Sequence, residues 1–188
     1  MKGKMNVEFK NINKHFGPVH ANRNINFSIE GGTIYGILGE NGAGKSTLMK
    51  IFSGFFQPSS GEILINGEPV LINSPADAIK HGIGMLHQDP LDFPPMKLID
   101  NFIVGQPGGL IPDYKKITKE FKELGQQFGF SLDPESHIDT LTVGERQQLE
   151  ILRLLWMGAE VLILDEPTTG ICSIQKEKLF ATLKILAE

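Results

Sequence analysis

The sequence predicts an α/β fold in which strands and helices surround one phosphate-cradling loop. Three observations carry this. An apolar run, Thr33-Ile34-Tyr35-Gly36-Ile37-Leu38, leads into Gly39-Glu40-Asn41-Gly42-Ala43-Gly44-Lys45-Ser46-Thr47, which fits G-x-x-x-x-G-K-[ST] and is followed by apolar residues at helical spacing. A second apolar run, Val161-Leu162-Ile163-Leu164, ends in two acids, Asp165 and Glu166. At 188 residues there is room for one domain with a sizeable core.

Composition narrows the possibilities. A net charge of −4 argues against an extended nucleic-acid-binding surface. The one cysteine, Cys172, excludes an intramolecular disulfide framework and fits a reducing compartment. Residues 1–10 alternate charged and apolar side chains and hold no signal-peptide core. No apolar run approaches the roughly 20 residues that span a bilayer. A soluble chain is expected, with any membrane role exercised through a partner.

Taken in order, Val7-Glu8-Phe9 and Ile25-Asn26-Phe27-Ser28-Ile29 alternate as half-buried strands do. The run at 33–38 follows Gly31-Gly32 and is short and apolar, as a buried strand should be. Glycines in the next loop let successive N–H groups converge on phosphate oxygens, and the following helix N-terminus adds partial positive charge. Lys45 is placed to reach the β- and γ-phosphates, and the Ser46 hydroxyl to ligate Mg²⁺. Leu48, Met49, Ile51 and Phe52 mark that helix, and Gly54 stops it. This implies binding of a nucleoside triphosphate.

Further on, Ile63-Leu64-Ile65, Asn66-Gly67 and Glu68-Pro69-Val70 read as a hairpin with a type I′ turn. Ser74-Pro75-Ala76-Asp77 starts a short helix with a cap, a proline at its first position and an acid at its third. Gly82 ends it, and residues 83–86 return to the sheet. Residues 89–155 are expected to form a helical insert, with prolines making 90–113 mostly loop and short helix. Phe121, Leu124 and Phe128 share a face there, and Gly129 is a stop. In Leu141-Thr142-Val143-Gly144-Glu145-Arg146-Gln147-Gln148, Thr142 and Glu145 have capping-box spacing ahead of a helix with Leu149, Leu152, Leu155 and Trp156 on one side. An Asp such as Asp165, ending a buried strand, can hold Mg²⁺, and Glu166 is placed to take a proton from an attacking water. Residues 173–188 read as a helix with Ile174, Leu179, Phe180, Leu183 and Leu186 apolar.

The segment from Leu141 resembles the signature motif of ATP-binding cassette (ABC) proteins, commonly L-S-G-G-Q. Lys14-His15-Phe16-Gly17 is similar to that family's adenine-stacking loop, and Met85-Leu86-His87-Gln88 to its glutamine loop. With the two phosphate-site motifs this makes five in the family's order. The resemblance implies a P-loop NTPase core with an N-terminal antiparallel β subdomain and an inserted α-helical subdomain. It implies that Phe16 stacks on adenine, that Gly39, Asn41, Gly42, Gly44, Lys45, Ser46 and Thr47 hold ATP, and that Ser46, Gln88 and Asp165 serve Mg²⁺. Glu166 would be the catalytic base and Gln88 its companion at the lytic water. Thr142, Val143, Gly144 and Glu145 would meet the ATP held by a second cassette. Glu145 sits uncomfortably beside a phosphate, so its carboxylate is expected to turn back to the helix cap.

Thr142-Val143-Gly144-Glu145-Arg146-Gln147 is similar to the form found in importers of sugars and nucleosides, particularly the first cassette of their tandem ATPases. The implied role is ATP hydrolysis powering transport, at the inner face of the cell membrane. Implied partners are a permease subunit, a second cassette in head-to-tail pairing and, indirectly, a solute-binding protein, with no nucleic acid. Cys172 stands where the family often has an Asp in its dimer-contacting loop. The family also places a switch histidine after the last helix, whereas the last histidine here is His137. The expected consequence is an apolar sheet edge and helix face left uncovered. A rival reading follows too: a shortened module that closes on ATP with little turnover.

Overall fold

In the computed structural model, residues 4–87, 92–105 and 112–187 are described. The first half opens with a long hairpin, β1 (Val7–Phe16) and β2 (Val19–Ile29). It is followed by α1 (Lys45–Phe52), β3 (Ser60–Ile65), β4 (Glu68–Val70), α2 (Pro75–Lys80) and β5 (Ile83–Leu86). The second half contains α3 (Leu98–Ile103), α4 (Tyr114–Gln127), a 3₁₀ turn (Ile138–Thr140), α5 (Val143–Trp156), β6 (Val161–Leu164) and α6 (Ser173–Ala187).

Two sheets organise these elements. One is antiparallel, in the order β2-β1-β3-β4, and the other is the parallel pair β5-β6. The β1–β2 hairpin is longer than the alternation suggests, because Gly17, at φ 57°, and Pro18 turn the chain tightly and both strands run on to meet there. Its polar stretch carries bulges, with Asn11 and Asn24 at φ 52° and 47°. There the Asn13 and Asn26 side chains accept backbone N–H bonds from Asn24 and Asn11, both 2.8 Å, which the interrupted ladder leaves open. The β3–β4 turn has Asn66 and Gly67 at positive φ, as a type I′ turn requires.

Helix ends follow local chemistry. Gly54 at φ 78° lies just past α1. The Ser74 hydroxyl accepts from the Asp77 N–H at 3.2 Å to cap α2, and Asp113 caps α4 through the Lys116 N–H at 3.1 Å. Gly129 at φ 68° closes α4 after Phe128, and Phe121 is the buried anchor of its apolar face.

Two apolar cores share the parallel pair as a partition. On one face Ile83, Met85 and Ile163 pack with Val7, Phe9 and Ile12 of β1 and Leu48, Ile51 and Phe52 of α1. On the other, Leu86 joins Leu98 and Phe102 of α3, Phe121 of α4, Leu149 and Leu152 of α5, and Leu179 and Leu183 of α6. Gly84 faces this second side, where a Cβ would lie 3.1 Å from both Ala159 and Leu154.

One expected strand is absent. Residues 33–38 form no strand, and Ile34, Tyr35 and Leu38 are 58%, 52% and 95% exposed. An apolar run becomes a buried parallel strand only where ladder partners flank it and layers cover both faces. Among the described residues β6 pairs with β5 alone, so nothing draws this glycine-punctuated run into a sheet. Only Ile37 packs partly against the first core, while Tyr35 stacks on Phe27 with centroids 5.6 Å apart. In α6, Leu179 and Leu183 are buried, but Ile174, Phe180 and Ile185 remain exposed.

Candidate nucleotide site

The loop at 39–47 is held by its own backbone and by β2. The Ala43 N–H bonds to the Glu40 carbonyl at 3.1 Å, and Gly42 and Gly44 take φ 83° and 87°. Any Cβ on Gly44 would collide with the Ala21 carbonyl, so the loop can press this closely on β2 only with glycine there. Asn22, buried in β2, donates through Nδ2 to the Gly44 carbonyl at 3.0 Å. Its role is not legible from sequence, where it is one polar residue in a polar stretch of strand.

Gly44 provides no side-chain cap to α1, and the first turn of α1 holds no acid. The leading N–H groups of that turn therefore face no carboxylate or hydroxyl acceptor of the helix's own, the condition under which a helix terminus accepts an anion. Lys45 folds back so that Nζ donates to the carbonyls of Gly39 and Glu40, at 2.7 and 2.9 Å. Its charge is thereby held over the loop. The Ser46 hydroxyl donates to Asp165 Oδ1 at 3.2 Å, joining α1 to the end of β6 across 119 residues of sequence. A hydroxyl beside a carboxylate is a hard-oxygen pair suited to Mg²⁺. Asn41 is exposed in the turn, and Thr47 lies half-buried in α1.

Glu166 follows directly and takes φ 47°, a left-handed conformation uncommon for a residue with a Cβ. Its carbonyl accepts from the Thr169 N–H at 3.1 Å, closing a turn, and Oε2 accepts from the Thr169 hydroxyl at 3.4 Å. Phe16, at the tip of β1, is 42% exposed, in a T-shaped contact with Phe56 at 5.3 Å and with Lys14 Nζ 5.0 Å from its centroid. Gln88 lies outside the described residues. Its neighbour His87 sits against Phe55 at 5.0 Å, and burial, then the Lys50 charge, holds its imidazole below the usual range.

The segment from Thr142 forms a separate constellation. The Glu145 N–H donates to Thr142 Oγ1 at 3.3 Å, while Glu145 Oε2 accepts from the Thr142 N–H and hydroxyl, both at 2.8 Å. The Glu145 carboxylate is thus turned onto the helix start. Val143 is exposed and Gly144 is buried under the Gln175 side chain. Among the described residues, no hydrogen bond or ion pair joins this cap to the loop at 39–47. Gln147, through the Pro167 carbonyl, and Gln175, which reaches Thr142 across 33 residues, tie it to the segment after Glu166.

Below the cap, α5 carries buried charge. Arg153 lies 3.3 Å from Glu150, and Arg146 lies 3.7 Å from Asp92. Burial raises both carboxyls, Glu150 to about 7, against the pull of Arg153 on Glu150 and of Arg146, then Arg153, on Asp92.

Comparison with known proteins accords with this geometry. The sequence pattern of the ABC transporter family matches residues 22–169. The guanosine import ATP-binding protein NupO of Bacillus subtilis is 40% identical over 185 residues, covering 97% of this chain and 36% of its own length. The ribose import ATP-binding protein RbsA of Lacticaseibacillus paracasei is 36% identical over 188 residues, covering 98% and 37%. This chain therefore spans about a third of the length of such relatives. Among solved structures, cbiO1 of Clostridium perfringens, part of the ABC transporter complex cbiONQ, superimposes with a TM-score of 0.83 at 28% identity, over 98% of this chain and 74% of its own.

Proposed function

Because the chain belongs to the ABC transporter family, we propose that it binds ATP with Mg²⁺ at the loop 39–47 and hydrolyses it to power import of a sugar or nucleoside. The observation that carries this is the approach of Ser46 to Asp165 beneath an α1 terminus that has no cap of its own. The site fits its ligands. Lys45 would exchange its two carbonyl partners for phosphate oxygens, Ser46 and Asp165 supply the metal's oxygens, and the first-turn N–H groups take the remaining phosphate charge. Mg²⁺ would supply neutralisation of the phosphate charge.

Glu166 follows this cluster on a backbone held in an uncommon conformation. Its carboxylate takes a proton from water as the water oxygen bonds to the γ-phosphorus. The bond from that phosphorus to the bridging oxygen breaks, and ADP leaves with the electron pair. Phe16, partly exposed at the tip of β1 with Lys14 beside it, would stack on the adenine. The cap at Thr142, Val143, Gly144 and Glu145 would meet the γ-phosphate of a second cassette, and Gln88 would respond to a permease subunit. A solute-binding protein would act through that permease, and nucleic acid has no part. Among the described residues no helix is long and apolar enough to cross a membrane. A cytoplasmic place on the inner membrane face follows from pairing with a permease.

The test is phosphate release and ATP binding for the chain and for Glu166→Gln. Turnover should fall by about 100-fold or more, the scale of a lost general base, with ATP affinity unchanged within about twofold. Equal turnover in both would remove Glu166 from the role of base. ATP binding without turnover in either would favour the closing module.

A further inference from the structure

The amide of Gln175, in the first turn of α6, faces two ways. Its oxygen accepts from the Cys172 N–H at 3.0 Å, and its nitrogen donates to Thr142 Oγ1 at 3.3 Å. A residue that only capped α6 would need the oxygen alone. The nitrogen instead reaches 33 residues back along the chain to the cap of α5. The fit is close. A Cβ on Gly144 would lie 2.6 Å from Gln175 Nε2 and 2.8 Å from its Cδ, so glycine at 144 is what admits the amide. Thr142 Oγ1 accepts from both Gln175 and the Glu145 N–H, which leaves its own hydrogen to be donated, at present to Glu145 Oε2.

A second tie runs alongside. Gln147, 4% exposed, donates through Nε2 to the Pro167 carbonyl at 3.2 Å. Both ties end on the segment 166–172, which begins beside Asp165 and its bond to Ser46. We infer that Gln175 is a positioning residue that couples the loop after Glu166 to the cap of α5, so that ATP at 39–47 alters the Thr142 hydroxyl presented to a partner's phosphate. This rests on the ATP-site reading proposed above. The amide is planar and bonded at both ends, so movement of 166–172 displaces the cap of α5 with it.

Hydrogen–deuterium exchange with and without Mg²⁺-ATP tests this, at chain concentrations where light scattering gives a monomer. Cys172→Ser supplies α6 with an independent N-cap and serves as the reference background. In that background, ATP should slow exchange at residues 39–47 whether or not Gln175→Met is added. At residues 142–146 it should slow exchange about fivefold or more only where Gln175 is kept, the scale of a modest coupling between sites. The inference falls if the 142–146 response survives Gln175→Met, or is missing with Gln175 present while 39–47 responds. No response at 39–47 in either chain overturns the ATP-site reading and this inference with it. Should methionine at 175 prevent folding, Gly144→Ala displaces the amide from the other side while favouring helix, and the same loss is expected.

Discussion

Glu150 is a carboxyl in the wrong surroundings for a charge. It lies 4% exposed in α5, and burial lifts it from 4.5 to about 7 despite Arg153 at 3.3 Å. Because the folded chain holds this proton more tightly than the unfolded chain, the contribution is fully present below about pH 4.5. It is lost as pH rises through about 7, on the order of 3 kcal/mol in all. Glu150→Gln should therefore match the parent in urea unfolding at pH 4.5 and exceed it in stability at pH 8. A gap that does not widen with pH would mean that Arg153 keeps the carboxylate charged throughout. Among the described residues, the buried Asp92 Oδ2, Arg146 Nε and Arg153 Nε find no hydrogen-bond partner, which marks the cluster as costly to hold.

Among the elements, α5 shows best what local chemistry can specify. Its capping box is complete within four residues, and Thr142 also receives the Gln175 amide. Thr142→Ala should cost about 1–2 kcal/mol in denaturant unfolding, the upper part of the range for a lost N-cap. Features of this kind are legible in sequence because partners lie three or four residues apart. The Asn66-Gly67 turn, the Ser74 cap and the Gly54 stop belong with them, as does the loop at 39–47. Long-range features are not. The meeting of Ser46 with Asp165 is suggested only by two motifs that belong together, and although Gln175 stands at capping distance from Cys172, nothing nearby signals its reach to Thr142 or that of Gln147 to Pro167. Apolarity alone gives residues 33–38 the pattern of a buried strand, yet strand formation there depends on ladder partners elsewhere in the fold. The β1–β2 hairpin extends beyond its alternating residues because bulges and asparagine side chains satisfy a polar stretch that periodicity does not identify.

For the whole molecule, the parallel pair β5–β6 decides how stability is shared. Ile163, 4% exposed, belongs to the core around β1 and α1, whereas Trp156, stacked on Phe102 at 4.5 Å, belongs to the helical side. Ile163→Ala should destabilise by about 2–4 kcal/mol. Because one partition serves both cores, Trp156 fluorescence and far-UV circular dichroism should report the same lowered midpoint. Two separated transitions would show that the cores melt independently.

The pleat of that partition also shapes how the sequence can drift. Met85 and Leu86 are chain neighbours, but one looks toward the first core and the other toward the second. Across the ladder, Met85 stands beside Ile163 and Leu86 beside Leu164. A change at one position is therefore answered by compensation across the ladder and within the same core, while the next residue along the chain is free to follow a different lineage of substitutions. The nucleotide side and the helical side can diverge at separate rates, even where their residues alternate one by one along a single strand.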